Sequence, residues 1–340
     1  MSAGEILLLG DINIDSFWPV SEFPVPGRDG LVDEVRFEIG GAVLNTAAFL
    51  ERLGKTTRLL GCIGKDRWAE SILDALINTH IQTSSLQIEP AAMTGINFTI
   101  VTPDGERTMF THRGANAKYD PLNLKEEVFQ KASLLHISGY ALLQSPQKDS
   151  VWRAVEMAKQ QGVPISLDTG LEPVIKRPND FRELFKEMTI CISGLEEAAQ
   201  LYGCESPQEA LDQFLSQGIE LAAIKLGSKG SMVADREKSF AMPCFEVETI
   251  DTTGAGDSYS AGVIYGWEQG FALEETATLA SALGALATTV YGAGLSLPKK
   301  EGVIDFLKNG KRPDVDVVEK SIDKLLNHFL TTDGLRSIRI

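Results

Sequence analysis

Ser133-Leu-Leu-His-Ile137, Pro164-Ile-Ser-Leu167, Met188-Thr-Ile-Cys-Ile192 and Leu221-Ala-Ala-Ile-Lys-Leu226 are short, largely apolar runs. Segments with helical spacing alternate with them, at 150–161, 179–187, 195–202 and 207–217. Apolar runs of this length read as strands buried on both faces. Their alternation with helices predicts β-α-β units around a parallel sheet. The expected class is therefore α/β, a mostly parallel central sheet with helices on both faces. Toward the N-terminus, Ile6-Leu-Leu-Leu9 adds a buried strand ending at Gly10. Leu44–Leu53 reads as a helix, with apolar residues at 44, 47, 48, 50 and 53 and a stop at Gly54. Toward the C-terminus, Gly230–Pro243 reads as a hairpin, followed by long helices at about 257–269 and 273–290. The tail at 314–330 is amphipathic, with Val317, Ile322, Leu325, Leu326 and Phe329.

Two stretches break this rhythm. Val35, Phe37 and Ile39 alternate with Glu34, Arg36 and Glu38, which predicts a half-exposed strand over 31–39. Asn97–Val101 and Thr108–Thr111 flank Pro103-Asp-Gly105, a hairpin pattern. Segments of about 12–39 and 93–113 thus read as a small sheet inserted into one domain spanning 1–340, with a helical extension at about 313–340. Val35, Phe37, Ile39, Phe98 and Ile100 would give the small sheet an apolar face. So few strands are marginal alone. The face must cover a ligand, a second copy of the chain, or both, and a homodimer through it is expected.

The composition narrows the class of partner. The 340 residues are 43% hydrophobic and 23% charged, and 32 Lys+Arg against 47 Asp+Glu leave a net charge of −15. Such a surface repels phosphate backbones and anionic lipid, so neither nucleic acid nor membrane is expected as a partner. Cys62, Cys191, Cys204 and Cys244 show no C-x-x-C spacing and read as free thiols. No signal peptide or spanning segment is read, which points to a cytoplasmic protein.

Three glycine-bearing turns carry the chemistry. In Asp251-Thr-Thr-Gly-Ala-Gly-Asp257, small residues stand immediately before a carboxylate and a helix. Amides there can turn toward an anion, aided by the helix start. A carboxylate beside an anion site suits proton removal from a hydroxyl that attacks a phosphate; its alternative role is a helix cap. Gly40-Gly41-Ala-Val-Leu-Asn45 allows close backbone approach, with an amide side chain one turn on. Gly10-Asp-Ile-Asn13-Ile-Asp15 puts Asn13 and Asp15 on one face after the first strand, where α/β sheets bind ligands. Gly54-Lys-Thr56 is not a P-loop, since Phe49 stands where glycine is needed. Tyr259 breaks a dinucleotide fingerprint, and His80, His112, His136 and His328 lack metal-ligand spacing.

Taken together, Gly40-Gly41-x-x-x-Asn45-x-Ala47-x-x-Leu50-x-x-Leu53-Gly54 and Asp251-Thr-Thr-Gly-Ala-Gly-Asp257 resemble the signatures of the ribokinase-like, or PfkB, carbohydrate kinases. Gly61-x-x-Gly64-x-Asp66, Asp104-Gly-Glu-Arg-Thr108, Gly227-Ser-Lys-Gly230 and Gly292–Pro298 add weaker agreement, so the likeness runs from about 5 to 310. The resemblance implies transfer of the γ-phosphoryl group of ATP, with Mg²⁺, to a hydroxymethyl group of a sugar or nucleoside. It implies Asp257 as the base and the amides of Gly254, Ala255 and Gly256 as its anion hole. It places Asn13, Asp15, Gly40, Gly41, Asn45 and Arg107 on the substrate. Ser193, Glu196, Lys225, Gly227 and Gly230 fall on the ATP side, with Glu196 toward Mg²⁺ through water. Asp251, Thr253 and Ser296 fall where some members bind a monovalent cation, K⁺, and the inserted strands match the family's lid.

The chain departs from the family pattern in three places. The Asn-x-x-Glu of the phosphate side reads Ser193-Gly-Leu-Glu196, the Asp-Pro-Asn of fructokinase-like members reads Asp168-Thr-Gly170, and Lys225 replaces a small polar residue. The double-glycine loop carries no lysine to hold a second phosphate, which points to a small neutral sugar. The Phe17-Trp18 pair keeps a nucleoside as the alternative, and Ser193 keeps a catalytically weak, sugar-binding regulatory protein as another.

Overall fold

The computed structural model describes residues 4–23, 25–103 and 107–336. Its centre is β1 (Glu5–Leu9), every residue of which after Glu5 is buried. Strand alternation divides that burial: Ile6 and Leu8 enter one core, Leu7 and Leu9 the other. The remaining strands are β2 (Asn13–Pro19), β3 (Arg36–Gly40), β4 (Thr57–Gly64), β5 (Ile81–Gln82), β6 (Leu86–Glu89), β7 (Gly95–Val101) and β8 (Arg107–His112). They continue with β9 (Ala132–Ser138), β10 (Ile165–Asp168), β11 (Ile190–Gly194), β12 (Leu221–Lys225), β13 (Ser231–Ala234) and β14 (Ser239–Met242). Ten of them form one sheet in the order β14-β13-β12-β11-β10-β9-β1-β4-β5, with β6 also on β4. Pairing is parallel from β12 to β5 and antiparallel only at β12–β13 and β13–β14. The expected α/β class is the observed one.

β1 lies between β4 and β9, so the chain departs from it in opposite directions on its two sides. That reversal opens a crevice beyond the carboxyl ends of the strands, where α/β proteins place ligands. One face of the sheet is covered by helices Ala42–Arg52, Ala255–Gln269 and Leu273–Ala287. The other is covered by Gln147–Gln161, Leu195–Tyr202 and Pro207–Ser216. The C-terminal helix Asp316–Arg336 buries Val318, Ile322, Leu325 and Phe329 in the first core, whereas Val317 faces outward.

A separate four-stranded sheet, β3-β2-β7-β8, stands over the crevice. β2 falls within the expected lid segment 12–39 but not at an expected strand, because Asn13 and Asp15 look like turn residues when their strand partners are unknown. The strand expected over 31–39 is only Arg36–Gly40, because its pairing with β2 runs out at Phe17↔Arg36. Asp66 fixes the root of this sheet. It caps helix Arg67–Leu76 through the Ala69 amide (2.9 Å) and accepts from the amide (2.7 Å) and hydroxyl (2.8 Å) of Thr94, just before β7. Residues 104–106 of the hairpin turn lie outside the described residues.

Candidate active site

Register decides which lid residues face the crevice. Asp15 pairs with Glu38 and Asn97, and Asn13 with Gly40 and Gly95, so all share one face. Asn97 Nδ2 donates to Asp15 Oδ1 at 2.6 Å. A Cβ at Gly40 would lie 2.0 Å from Asp15 Oδ2, so the carboxylate occupies space that only glycine leaves open. At Gly41 φ is 100°, and a Cβ there would press on the Asp11 carbonyl at 2.4 Å. The double glycine thus lets the lid strand turn directly into helix Ala42–Arg52. Asn13 is pinned by Asn116, whose Nδ2 donates to its Oδ1 at 2.8 Å and whose Oδ1 accepts from the Ile12 amide at 2.9 Å. Behind them Arg113 grips Asp11 with two hydrogen bonds of 2.9 and 2.7 Å. Asn97, Asn116 and Arg113 were not singled out from sequence; each lies on or after β7 and acts across about a hundred residues.

Asn45, one turn into that helix, donates through Nδ2 to Asp257 Oδ2 at 2.7 Å. Asp257 sits in the first turn of helix Ala255–Gln269, capped by Gly254. The Ala255 amide donates to the Thr252 carbonyl at 3.3 Å and so is turned into the loop rather than toward an anion. Of the expected trio Gly254, Ala255 and Gly256, this turns the Ala255 amide away, and the helix start adds the Asp257 amide as a first-turn donor. Desolvation pushes the Asp257 carboxyl up to about 7, against the Asn45 hydrogen bond, with Asp168 and Asp15 adding to the rise. The residue as a whole is half-buried. Desolvation likewise raises Asp15 to about 6, opposed by Asn97 and reinforced by Asp251 and Glu38. Asn45 Oδ1 and Asn97 Oδ1 are buried acceptors without a partner among the described residues. Unmet acceptors beside two carboxylates suit a ligand rich in hydroxyl donors.

On the far side of Asp257 lies a cavity of about 590 Å³ lined by Lys225, Gly227, Gly230, Val247, Gly256 and Tyr259 among others. Its apolar walls and glycine edges suit a base and ribose, and Gly256 joins its lining to the helix that carries Asp257. Ser193 and Glu196, both expected on the ATP side, do not line this cavity. Ser193 is wholly buried, its hydroxyl accepting from Thr169 (2.9 Å) and donating to the Gly194 carbonyl (3.1 Å). Glu196 is exposed, and Glu197 turns inward instead. A Cβ on Gly194 would be 1.9 Å from Glu197 Oε2, so the carboxylate lies against that glycine. Desolvation raises the Glu197 pKa, opposed by Lys225. The signal was available: Glu197 precedes the buried Leu201 by four residues, on the inner stripe of the helix.

Asp251 accepts from the amide (2.9 Å) and hydroxyl (2.7 Å) of Thr253 and from the Gly292 amide (3.0 Å). Ser296 instead donates to Glu38 of β3 at 2.9 Å. Among the described residues no group of three or more His, Cys, Asp or Glu could hold a metal by itself. The side chain of Arg107 lies outside the described residues; its backbone opens β8.

Residues 3–300 match the pfkB family of carbohydrate kinases. The chain belongs to that family. It is an ATP-dependent carbohydrate kinase of ribokinase-like fold. Its relatives include the ribokinase of Haemophilus influenzae, 28% identical over 310 residues, covering 89% of this chain and 98% of that one. The structure of Arabidopsis thaliana ribokinase complexed with ribose and ATP is 25% identical, with a TM-score of 0.78 over 90% of this chain and 99% of that one. A nucleoside kinase of Methanocaldococcus jannaschii has the same fold, at 24% identity and a TM-score of 0.77 over 90% and 98%. No helix among the described residues is long and apolar enough to cross a membrane.

Proposed function

We propose that this kinase transfers the γ-phosphoryl group of ATP to a hydroxymethyl group of a small neutral sugar. The observation that carries this is Asp15 and Asp257 facing one crevice, with Asp15 adding to the hold of Asp257 on its proton. Two carboxylates repel a phosphosugar, while Asn13, Asn97 and the unmet oxygens of Asn45 and Asn97 match hydroxyl groups. Gly40 and Gly41 bring the backbone close to them. The acceptor hydroxyl binds Asp257, which orients it and takes its proton as oxygen attacks phosphorus. The bond from phosphorus to the bridging oxygen breaks, and ADP leaves with the electron pair. Amides of Gly254, Gly256 and Asp257 stabilise the charge in flight.

Mg²⁺ would neutralise phosphate charge, with Glu196, exposed at the start of its helix, acting on it through water and Glu197 as the neighbouring carboxylate. Asp251 and Thr253 would hold K⁺, with the 292–296 loop closing the site. Phe17, buried on the substrate face beside Asp15, favours a nucleoside as the second reading. ADP release measured over sugars, nucleosides and phosphosugars separates these readings. Turnover is expected on a neutral sugar. Turnover only on phosphosugars would overturn the assignment, and sugar binding in calorimetry without turnover would favour the regulatory protein.

A further inference from the structure

Asp168, Lys225 and Ser260 form a trio beneath Asp257 that the sequence reading did not assemble. Lys225 ends β12 and Asp168 ends β10, two strands away, so the sheet delivers both to the crevice. Lys225 Nζ lies 2.8 and 2.9 Å from the two Asp168 oxygens. Ser260, one turn after Asp257 on the same helix, donates to Asp168 Oδ2 at 2.7 Å. An ammonium has three donors, and Asp168 takes two. The ammonium also stands beside the first-turn amides: a Cβ built on Gly256 would be 3.5 Å from Nζ.

A buried ion pair is a poor way to add stability, because apolar residues of similar volume do as well. This pair is not sealed. The Lys225 side chain keeps 23% of its surface and lines the nucleotide cavity, while Asp168 keeps 14%. Three carboxylates, Asp168, Glu197 and Asp257, act on this one ammonium. Desolvation opposes its charge, and attraction to Asp168 and then to Glu197 and Asp257 more than offsets the loss, so it stays protonated.

We propose that Lys225 is the side-chain cation that meets the migrating phosphoryl group, and that Asp168 and Ser260 are positioning residues that aim it. The proposal rests on the kinase reading and adds a named charge to it. The ammonium keeps its proton throughout; it lies across the path from the cavity to Asp257 and steadies the charge on the transferring oxygens. Its fixed place makes it a transition-state contact rather than a general attraction for ATP.

The test is a double-mutant cycle on the full chain with Lys225→Met, Asp168→Asn and both together. Wild-type turnover and melting temperatures are recorded alongside. Lys225→Met is expected to lower kcat by about 10²- to 10³-fold, the usual cost of one such donor, while KM for ATP moves only about threefold. Asp168→Asn is expected to lower kcat about tenfold, with the double variant as slow as Lys225→Met alone. If Lys225 only neutralises Asp168, the double variant recovers wild-type kcat and the proposal fails. Should Lys225→Met not fold, Lys225→Gln replaces it in the same cycle. An unaltered kcat in a folded Lys225 variant defeats the proposal while the kinase reading stands. A wild type inactive on every acceptor defeats the kinase reading itself.

Discussion

Asp257 was legible from its neighbours alone, because three small residues before a carboxylate and a helix admit few uses. What the sequence could not supply was its environment. Asn45 reaches it across 212 positions, and burial lifts its pKa to about 7. An isolated aspartate titrates near 4, so the native state holds a proton that the unfolded chain releases between about pH 4 and pH 7. Ionising it costs native stability, and the cost grows as pH rises through that window. Asp257→Asn should therefore melt above the wild type at pH 8 and level with it at pH 4, by calorimetry. The same variant should lose at least about 10²-fold in kcat with little change in ATP affinity, since shape is kept and basicity lost. Wild-type kcat/KM should rise with pH to a plateau above about 7, steepened below about 6 by Asp15. Retained kcat would reduce Asp257 to a helix cap. Glu196 and Glu197 show what motif spacing leaves out. Register along a helix is set by its buried stripe, and one residue separates an exposed carboxylate from one packed against Gly194.

At the scale of elements, strongly apolar strands and well-capped helices were readable, and the lid was readable only in part. β3 and the β7–β8 hairpin show period-two patterning, whereas β2 carries the ligand-facing Asn13 and Asp15 that disguise it. Strands also end where partners end, as at Arg36, and a single sequence does not show its partners. The lid hangs from the body through Asp66 and Thr94. Burial works against the Asp66 charge, but hydrogen bonds from Thr94 and Ala69 outweigh it and hold the pKa below the usual value. Asp66→Ala removes the cap and both Thr94 contacts. Thermal unfolding should show a loss of about 1–2 kcal/mol, and KM for the sugar should rise several-fold while KM for ATP holds. Equal changes in both KM values would show that Asp66 supports the body and not the lid.

For the whole molecule, the parallel sheet and the place of the crevice followed from strand alternation, whereas assembly did not. Phe37 and Phe98 both pair across Ser16, and Phe110 continues the row from Phe98. They are 48%, 39% and 60% exposed on the lid face turned away from Asp15. We expect two copies to join lids there, and Phe37→Glu with Phe98→Glu should convert a dimer to a monomer in light scattering. A monomeric wild type at micromolar concentration would end that expectation. The junction at Gly40 and Gly41 has an effect on chemistry as well. β3 runs through it into the helix whose Asn45 bonds to Asp257, so on the proposed mechanism a ligand that draws the lid inward would also set the base. A water molecule at the acceptor position touches Asp257 but cannot bridge to Asp15 and Asn97. It leaves the lid unloaded and the base poorly aimed. On the proposed mechanism, restraint of futile ATP hydrolysis would reside in a backbone joint two glycines long.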